Sequence, residues 1–403
     1  MIRVLRILNR FNLGGPTYNA AFLTKYLPPD FKTLLVGGEI DKTENSSLHI
    51  LDDLNVKPII IPEMKRSINY NNDLVAYYKL KEIIHRFKPD IIHTHASKAG
   101  SLGRWAAYRC NVPVVVHTFH GHVFHSYFGP AKTSIVKSVE RSLAKISSAI
   151  VAISDKQKEE LCHIHKIAPA DKVTVIPLGF DLNKFREHKE TKRTTFRKEY
   201  NISDDEIAIG IIGRLVPIKN HSFFIDAIEH LIKSSQLPLR FFIVGDGESK
   251  ADIEQYARLK NIPFTHKKGE KAVLTFTSWI KEIDQVNAGL DIITLCSLNE
   301  GTPVSLIEAQ ASGTPIVATN VGGIEDAVLQ GKTALLTGNN AEDFAEKILL
   351  LASDKHLRHK MEEAGWKFVE RKFHYTRLVK DMEELYLNQL RSIGSKKQVF
   401  ATA

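Results

Sequence analysis

Two carboxylates, Glu300 and Glu308, stand on either side of a loop that glycine and proline interrupt. The surrounding stretch, residues 291–319, is typical of a buried strand, a loop, a short helix and a second strand. An ionised carboxylate accepts hydrogen bonds and sugar hydroxyls donate them, so this pair suits a ligand rich in hydroxyls. A buried strand that ends in a glycine turn and opens a helix is also where α/β proteins hold phosphorylated ligands.

The loop between the two carboxylates predicts a helix start whose amides face that ligand. Gly301 permits a close approach of the backbone, and Pro303 favours the first turn of a helix. We expect the free amides that follow to point outward, although a capped core helix with two surface acids is the alternative. The predicted donor-binding positions in this loop are Gly301, Thr302, Pro303, Val304, Ser305 and Leu306.

A basic loop follows another predicted strand. Gly213 ends that strand, and Arg214 and Lys219 follow before a helix that begins near Asn220. An arginine and a lysine at the carboxyl end of a strand can clamp a diphosphate. The alternative is a solvated basic loop.

Two further glycine turns follow buried strands. Gly245 stands in IVGDGESK, which lacks the third glycine and the downstream acid of a dinucleotide-binding fingerprint. Gly14 and Gly15 follow the first strand and precede a helix, so this loop could face a phosphate or an acceptor. An ordinary strand-to-helix turn explains the pair equally well.

Histidines gather after two strands of the first half. His93 and His95 lie on the same side of one extended segment, and the next strand leads into His117, His120, His122 and His125. No Asp, Glu or Cys partner stands at a matching spacing, so we predict no metal site. His120, directly before a glycine, is predicted to reach the substrate.

Composition places the chain among soluble enzymes. Its 403 residues fit two domains, with 43% hydrophobic and 25% charged residues. Three cysteines, an odd number, favour a reduced, cytoplasmic compartment, and no apolar run reaches the ~18 residues of a bilayer span. The net charge of +9 favours phosphorylated substrates or an anionic membrane surface, while no nucleic-acid-binding module is recognisable.

Alternating strands and helices predict an α/β protein with two Rossmann-like, doubly wound domains facing across a cleft. The predicted strands are IRVLRIL, KTLLV, KPIII, DIIHTH, VPVVVHTF, SAIVAIS and KVTVIP, and then EIAIGIIG, LRFFIVG, AVLTFT, LDIITL, PIVAT and TALLT. The turn-rich, charged stretch 177–190 carries no apolar period. We therefore place an N-terminal domain at 1–182 and a C-terminal domain at 183–372.

These residues resemble the family four glycosyltransferases, retaining enzymes of the GT-B fold that include bacterial polysaccharide and lipopolysaccharide enzymes. The most specific motif is the Glu300–Glu308 spacing followed by ASGTPIVAT. The resemblance implies that Glu300 contacts the donor sugar and Glu308 the nucleotide ribose. It implies that Arg214 and Lys219 hold the donor diphosphate.

The resemblance extends over nearly the whole chain. It places His120 near the transferred sugar, assigns the N-domain loop to Gly14 and Gly15, and returns residues 373–395 to the N-terminal domain. It sets a base pocket at the turn of Ser278, Trp279 and Ile280 and at the Gly245 loop. Three departures from the usual pattern occur: Cys296 stands where many relatives have proline, Ser278 stands where glycine is common, and GGIEDAV lacks the proline often seen after its glycines.

The expected activity is a metal-independent transfer of a hexose from a nucleotide-diphosphate donor to a glycan, lipid-linked or small-molecule acceptor. No D-x-D motif for a metal-bound diphosphate occurs in the chain. No cofactor is expected, and UDP is the expected nucleotide because it is common among relatives. Two alternatives remain open: a nucleotide-sugar epimerase of the same fold, and a non-catalytic sugar-nucleotide binder.

Overall fold

The computed structural model describes residues 1–12, 15–40, 46–65, 67–121 and 130–401, which form two compact units. Unit 1 comprises Met1–Phe180 and Phe373–Ala403, and unit 2 comprises Asp181–Lys372. The chain first leaves unit 1 inside the turn-rich stretch 177–190. The sequence prediction sets the two boundaries after residues 182 and 372.

Within the described residues, the sheet of unit 1 has seven strands. They are β1 (Ile2–Arg10), β2 (Phe31–Gly38), β3 (Ile59–Ile60), β4 (Ile91–His95), β5 (Val114–Phe119), β6 (Ala149–Ala152) and β7 (Val173–Val175). Their order is β3-β2-β1-β4-β5-β6-β7 and every pairing is parallel. The sequence predicts each of them, because strands covered on both faces are runs of Val, Ile and Leu.

Helices cover both faces of this sheet. They are α1 (Gly15–Tyr26), α2 (Leu48–Asp53), α3 (Tyr70–Phe87), α4 (Ser97–Arg109), α5 (Pro130–Ile146) and α6 (Asp155–Glu159), with α15 (Tyr375–Ala401) from the end of the chain. The helix α3 begins where the side chain of Asn69 accepts from the amide of Asn72 at 3.1 Å. Successive side chains of a strand point to opposite faces, so Val4 packs in a cluster with Leu378 of α15 and Leu5 in a cluster with Leu80 of α3.

The final helix, α15, belongs to the core of unit 1. Leu378, Met382 and Tyr386 recur every four residues and are fully buried in the cluster that also holds Leu23 of α1. The guanidinium of Arg377 donates to the carbonyls at residues 177 and 178, at 2.6 and 2.8 Å. Burying an apolar side chain such as Leu378 or Met382 stabilises the fold by ~2–3 kcal/mol, so α15 is a structural element of unit 1.

Unit 2 repeats the architecture with a second parallel sheet, seven-stranded over the part of the chain that the structure describes. Its strands are β8 (Ile207–Ile212), β9 (Leu239–Val244), β10 (Phe264–Thr265), β11 (Leu274–Ser278), β12 (Ile292–Leu295), β13 (Ile316–Thr319) and β14 (Ala334–Thr337). Their order is β10-β11-β9-β8-β12-β13-β14. The sequence prediction misses β10, since two residues are too short to show a period.

The helices of unit 2 pack on both faces of its sheet. They are α7 (Lys189–Glu199), α8 (His221–Ser234), α9 (Lys250–Leu259), α10 (Ile283–Gly289), α11 (Val304–Ala311), α12 (Ile324–Ala327), α13 (Ala341–Ser353) and α14 (Lys355–Phe373). Phe224 of α8 and Ile348 of α13 lie in one core cluster. Phe196 of α7 and Leu306 of α11 lie in the cluster on the other face.

Candidate functional site

The loops after β8 and β12 of unit 2 begin beside each other at one edge of the sheet. These strands are neighbours although β9, β10 and β11 separate them in the sequence, so the winding of the sheet reverses between them. Gly213 follows β8, and Cys296 follows β12. Ligands of doubly wound sheets bind in the crevice at such a reversal, beyond the carboxyl ends of the strands.

Lys219 and Glu300, one from each loop, form an ion pair. The Lys219 Nζ lies 2.5 Å from Glu300 Oε1, and the hydroxyl of Ser297 donates to the same oxygen at 2.6 Å. Only 20% and 12% of the two charged side chains is exposed, so water screens the pair weakly. Within the described residues no hydrogen bond reaches Oε2 of Glu300, which leaves that oxygen able to accept from a ligand hydroxyl.

Cys296 holds the Lys219 loop against the loop after β12. Its thiol donates to the carbonyls of Asn220 and Lys219, at 3.2 and 3.4 Å, and the amide of Leu298 donates to the carbonyl of Ile218 at 2.8 Å. Burial raises the pKa of the Cys296 thiol to about 12, so it stays protonated. The sequence analysis notes Cys296 only as a departure from the family pattern and misses this positioning contact.

Backbone packing supports Glu300 from the other side. The amide of Gly323 donates to the Glu300 carbonyl at 2.9 Å, and Thr319 Oγ1 donates to the Ser297 carbonyl at 2.9 Å. A Cβ on Gly322, which has a φ of +57°, would lie 2.0 Å from the Glu300 carbonyl oxygen. The paired glycines after β13 could have indicated this close backbone contact, but the sequence analysis gives them no role.

The first turn of α11 starts directly after this loop. Pro303 is its N-cap, and a Cβ on the exposed Gly301 would meet no atom within 4 Å. The prediction that the amides after Pro303 point outward is wrong for Leu306, whose amide donates to the Pro303 carbonyl at 3.1 Å while its side chain is fully buried. The carbonyl of the N-cap residue closes the turn, so of the amides in this turn only those of Val304 and Ser305 have no hydrogen-bond partner among the described residues. The neighbouring Thr302 is partly exposed.

Glu308 lies further along α11 and is partly buried. Burial raises the pKa of its carboxyl to about 7, against a smaller lowering by Lys184. No described side chain hydrogen-bonds to this carboxylate. A ligand that donated hydroxyls to it would replace the missing solvation of the ionised form.

Arg214 is the exposed cation of the site. Over the part of the chain that the structure describes, its guanidinium has no ion pair or hydrogen bond. The structure thus brings Lys219 to Glu300 and leaves Arg214 available to an anionic ligand.

Gly245 and Gly247 let the loop after β9 approach the Gly213 loop. A Cβ on Gly245, which has a φ of +144°, would lie 1.9 Å from the Gly213 carbonyl oxygen, and one on Gly247 would lie 2.3 Å from that of Leu215. Both positions therefore require glycine to hold the Gly213–Leu215 backbone in place. This packing accounts for Gly245 without any ligand.

The turn after β11 carries the predicted base-binding residues. Ser278 has a φ of +55°, a left-handed conformation that glycine adopts without strain, and its carbonyl accepts from the amide of Gly245 at 3.0 Å. Its hydroxyl accepts from Lys250 Nζ at 3.1 Å. Trp279 is 48% exposed, while Ile280 packs against the core. An exposed indole on a fixed turn offers a surface on which a base could stack.

The histidines of unit 1 form a buried group at the carboxyl ends of β4 and β5. The rings of His93 and His95 lie 4.2 Å apart, as their spacing on one strand predicts. His95 Nδ1 lies 2.9 Å from His120 Nε2, and His117 Nδ1 lies 2.8 Å from the hydroxyl of Thr94. Burial lowers the pKa of His120 to about 3 and holds the pKa of the other three well below the usual value, so all four are neutral at pH 7.

A hydrogen-bonded chain ties this group to α15. The Tyr386 hydroxyl lies 2.6 Å from His93 Nδ1 and accepts from the buried Arg6 guanidinium at 3.2 Å, and Thr118 Oγ1 lies 2.7 Å from His93 Nε2. The outer histidine, His120, is partly exposed, and its Nδ1 has no partner within the described residues. Sequence reasoning found the histidines but not this chain, since Tyr386 lies far away along the sequence.

Some predicted positions lie outside the described residues. Gly14, His122 and His125 are among them, whereas Gly15 begins α1. A Cβ on Gly15 would lie 3.2 Å from Leu178, within unit 1. Within the described ranges, no group of three His, Cys, Asp or Glu side chains could hold a metal ion.

Family models match both halves of the chain. Residues 38–184 match the model described as Glycosyltransferase Family 4, and residues 192–368 match the model described as Glycosyl transferases group 1. Over 343 residues the chain is 30% identical to UDP-Gal:alpha-D-GlcNAc-diphosphoundecaprenol alpha-1,3-galactosyltransferase of Escherichia coli, which covers 84% of this chain and 86% of the relative. The chain belongs to glycosyltransferase family 4. It is an enzyme that transfers sugars.

Other relatives of this family 4 glycosyltransferase agree. It is 26% identical over 376 residues to the capsular polysaccharide biosynthesis glycosyltransferase CapM of Staphylococcus aureus, which covers 90% of this chain and 96% of the relative. Its structure resembles the crystal structure of Anabaena HepE in complex with UDP, with a TM-score of 0.80 and 18% identity over 96% of this chain and all of that one. The predicted GT-B fold is thus confirmed.

None of the described helices of this glycosyltransferase is both long and apolar enough to cross a membrane.

Proposed function

We propose that this glycosyltransferase binds a nucleotide-diphosphate hexose in unit 2 and transfers the hexose with retention of configuration, without a metal ion, to a glycan or lipid-linked acceptor. The observation that supports this most is the arrangement of Lys219, Ser297 and Glu300 beside the first turn of α11. In this arrangement a cation and free amides could bind a diphosphate, and a carboxylate oxygen could accept hydrogen bonds from sugar hydroxyls.

The positive groups stabilise the leaving diphosphate. The bond between the anomeric carbon and the phosphate oxygen breaks, and negative charge grows on the diphosphate while positive charge grows on the ring. Lys219, Arg214 and the amides of Val304 and Ser305 would carry the first charge, which makes a divalent ion unnecessary. Gly213 would let the phosphates approach the backbone closely.

The remaining unit 2 groups would orient the donor. Glu300 would accept sugar hydroxyls at Oε2, because Oε1 is already occupied by Lys219 and Ser297. Glu308 would accept the ribose hydroxyls, and Trp279 with its neighbour Ile280 would bound the base. Each carboxylate accepts charge-assisted hydrogen bonds, which are about twice as strong as neutral ones.

The acceptor is assigned to unit 1. His120 is neutral, and a neutral imidazole both accepts and donates a hydrogen bond, which suits a sugar hydroxyl. The acceptor oxygen would bond to the anomeric carbon on the face that the phosphate leaves, and its proton would pass to the departing phosphate. No side chain is then needed as a general base. The loop of Gly14 and Gly15 would face the acceptor.

The relatives suggest the substrates. The E. coli relative is named for UDP-galactose and for an N-acetylglucosamine acceptor linked to diphosphoundecaprenol, and the Anabaena structure contains UDP. We propose a UDP-hexose donor and an acceptor on a lipid carrier or a growing polysaccharide, reached from the cytoplasm. No further cofactor is proposed.

The test is a transfer assay with UDP-hexoses and lipid-diphosphate acceptors, in buffer with a chelator. We expect a glycosylated acceptor whose new linkage has the anomeric configuration of the donor, as read from NMR coupling constants. An inverted product, or activity abolished by the chelator and restored by a divalent ion, would contradict the proposal. Donor incubated alone should give no new sugar isomer, whereas an epimerase would produce one.

A matched pair of variants connects the assay to the site. Lys219→Met should lower transfer and UDP affinity, because it removes a diphosphate contact. Lys332→Met replaces an exposed lysine of unit 2 outside the site and should leave both unchanged. Equal activities of the two variants would overturn the diphosphate assignment.

A further inference from the structure

We propose that His95 is a positioning residue that fixes the proton of His120 on Nδ1, so that His120 meets its substrate as a hydrogen-bond donor. The inference rests on the proposed function for the substrate, a sugar. The placement of the proton, however, is a property of the protein without ligand. It can therefore be measured with neither donor nor acceptor present.

His95 and His120 contact each other through one ring nitrogen each. His95 Nδ1 lies 2.9 Å from His120 Nε2, a hydrogen-bond distance, so one of these nitrogens carries a proton and the other is bare. Both rings are neutral at pH 7, so each has one proton in total. Either His95 donates and His120 has its proton on Nδ1, or His120 donates and His95 has its proton on Nε2.

The surroundings of the two remaining nitrogens favour the first arrangement. His95 is fully buried, and its Nε2 has no hydrogen-bond partner among the described residues. A proton there would be a buried N–H without an acceptor, and such groups are rarer in folded proteins than acceptors without a donor. His120 is the partly exposed member of the pair, and its Nδ1 is also unpartnered in the described ranges. A proton on that nitrogen gains an acceptor once a ligand contacts the ring.

The fold holds the His95 ring in place before any ligand binds. His95 is the last residue of β4, and its backbone pairs with Leu8 of β1 on one side and with Thr118 of β5 on the other. Its ring lies 4.2 Å from the ring of His93. Since backbone and ring are both fixed, His95 can orient the His120 ring at little cost in conformational entropy.

The neighbouring His93 carries its proton on the other nitrogen. Arg6 can only donate, so the Tyr386 oxygen accepts from it at 3.2 Å, and the Tyr386 hydroxyl then donates to His93 Nδ1 at 2.6 Å. His93 Nδ1 is therefore bare, and its Nε2 donates to Thr118 Oγ1 at 2.7 Å. The two histidines of β4 thus hold opposite tautomers, and each tautomer is set by the hydrogen-bond partner of the ring.

This placement of protons determines what His120 can do chemically. Its Nε2 accepts from His95 and its Nδ1 carries a proton, so no lone pair is left to take a proton from the attacking hydroxyl. The ring can instead donate to an oxygen of the sugar. A hydroxyl or carbonyl oxygen fits this position, whereas an ammonium group, which only donates, is disfavoured.

The test is NMR of the ring nitrogens in the full chain with isotope-labelled histidine, at neutral pH and without substrate. A protonated ring nitrogen and a bare one differ widely in chemical shift, and the loss of signals in His120→Gln identifies those of His120. We expect the proton of His120 on Nδ1, although an unconstrained histidine prefers Nε2. A proton on His120 Nε2 would overturn the proposal.

A matched pair of variants separates positioning from packing. His95→Asn keeps an amide that can donate from about the place of Nδ1, whereas His95→Leu fills the space without a donor. The first should keep the His120 proton on Nδ1, and the second should shift it toward Nε2. An unchanged His120 tautomer in His95→Leu would also contradict the proposal. Tyr386→Phe is the spectroscopic control, which should alter the His93 signals and leave the His120 proton in place.

Transfer kinetics connect the tautomer to the reaction. His95→Leu should lower kcat/KM by ~10-fold, the effect of one hydrogen bond, and His95→Asn should restore most of it. His163→Gln, at a side chain 63% exposed, should change neither the tautomer nor transfer. Equal transfer by His95→Leu and the wild type would overturn the positioning role. Absence of transfer by the wild type itself would contradict the proposed function and not the placement of the proton.

Discussion

The two units share one architecture but place opposite kinds of chemistry at the ends of their strands. Each has a parallel sheet whose winding reverses in the middle, between β1 and β4 in unit 1 and between β8 and β12 in unit 2. In unit 2 the reversal carries the ion pair of Lys219 and Glu300. In unit 1 the corresponding edge carries neutral imidazoles, with His95 against His120.

The difference shows that the sheet supplies a position while the loops supply the charge. Lys219 and Glu300 are partly exposed, so their charges remain available to a ligand. His93 and His95 are fully buried, and burial holds their pKa well below its usual value. Under the proposed function, a doubly wound sheet would serve a charged phosphate in one unit and uncharged hydroxyls in the other.

Removing the charge from unit 2 should have the largest effect. Glu300→Ala and Arg214→Ala should each lower kcat/KM by ~100-fold or more, because both groups would act mainly in the transition state. Steady-state kinetics measures this, and circular dichroism checks the fold. Glu363→Ala, at an exposed acid of α14, is the control. Near-normal turnover in both site variants would show that the charged groups of unit 2 do not take part in transfer.

Acid should destabilise unit 1 through its neutral histidines. Each buried imidazole is uncharged when folded and binds a proton on unfolding below a pKa of about 6.5, so the free energy of unfolding falls as the pH drops below that value. For one such histidine the loss approaches ~1.4 kcal/mol per pH unit. Hydrogen exchange of the β4 and β5 amides measures it.

The variant His95→Gln removes one titrating group and keeps a hydrogen-bonding side chain toward His120. The free energy of unfolding obtained from its hydrogen exchange should depend less on pH than that of the wild type. The difference should equal the contribution of one buried histidine. His163→Gln, at a side chain 63% exposed, should leave the pH dependence unchanged. Identical slopes in wild type and His95→Gln would show that His95 is not held neutral by the fold.

Glu308→Gln should have opposite effects on stability and on binding: it should stabilise the fold at neutral pH and weaken the binding of UDP. The pKa of the Glu308 carboxyl is about 7 in the folded protein, against an ordinary value of 4.5 in the unfolded chain. The free energy of unfolding of the wild type therefore falls as the pH rises between these two values, whereas that of the variant does not. UDP should bind the variant ~10-fold more weakly at about pH 8, since an amide accepts hydroxyls less strongly than a carboxylate. Calorimetry of UDP binding at about pH 6 and about pH 8 tests this, and wild-type affinity should rise with pH.

Ser278→Gly should have the smallest effect. Glycine relieves the left-handed backbone by ~1 kcal/mol but loses the hydrogen bond from Lys250, so the melting temperature should stay nearly constant. Ser278→Ala keeps the strain and loses the bond, so it should melt lower than the glycine variant. The reverse order would show that the turn is not strained.

The sequence predicts every described strand except β10, and it predicts that Lys219 and Glu300 each stand in a loop after a strand. Both predictions depend on short-range pattern, since strand runs are contiguous and each side chain follows its own strand within a few residues. The histidine spacing on β4 is predictable in the same way. These features need no knowledge of which distant residues meet.

The features that the sequence does not predict depend on tertiary contacts. Three such contacts join segments that are far apart in the chain. The Cys296 thiol donates to the Lys219 carbonyl, the Gly322 backbone packs against the Glu300 carbonyl, and the Tyr386 hydroxyl lies against His93 Nδ1. The bond from the Leu306 amide to Pro303 depends on the detailed geometry of one turn. Patterns of residue types carry no information on such contacts, because many partners would fit each pattern.

The ion pair of Lys219 with Glu300 has a consequence for ion selectivity. The Lys219 ammonium is already neutralised by a carboxylate at 2.5 Å, so chloride, which has a single charge and no acceptor oxygen, gains little by entering. Only an anion with more charge and more acceptor oxygens than the carboxylate can draw the ammonium away. The glutamate therefore acts as an internal competitor, which would disfavour a singly charged anion such as chloride beside Lys219 more than the proposed diphosphate ester.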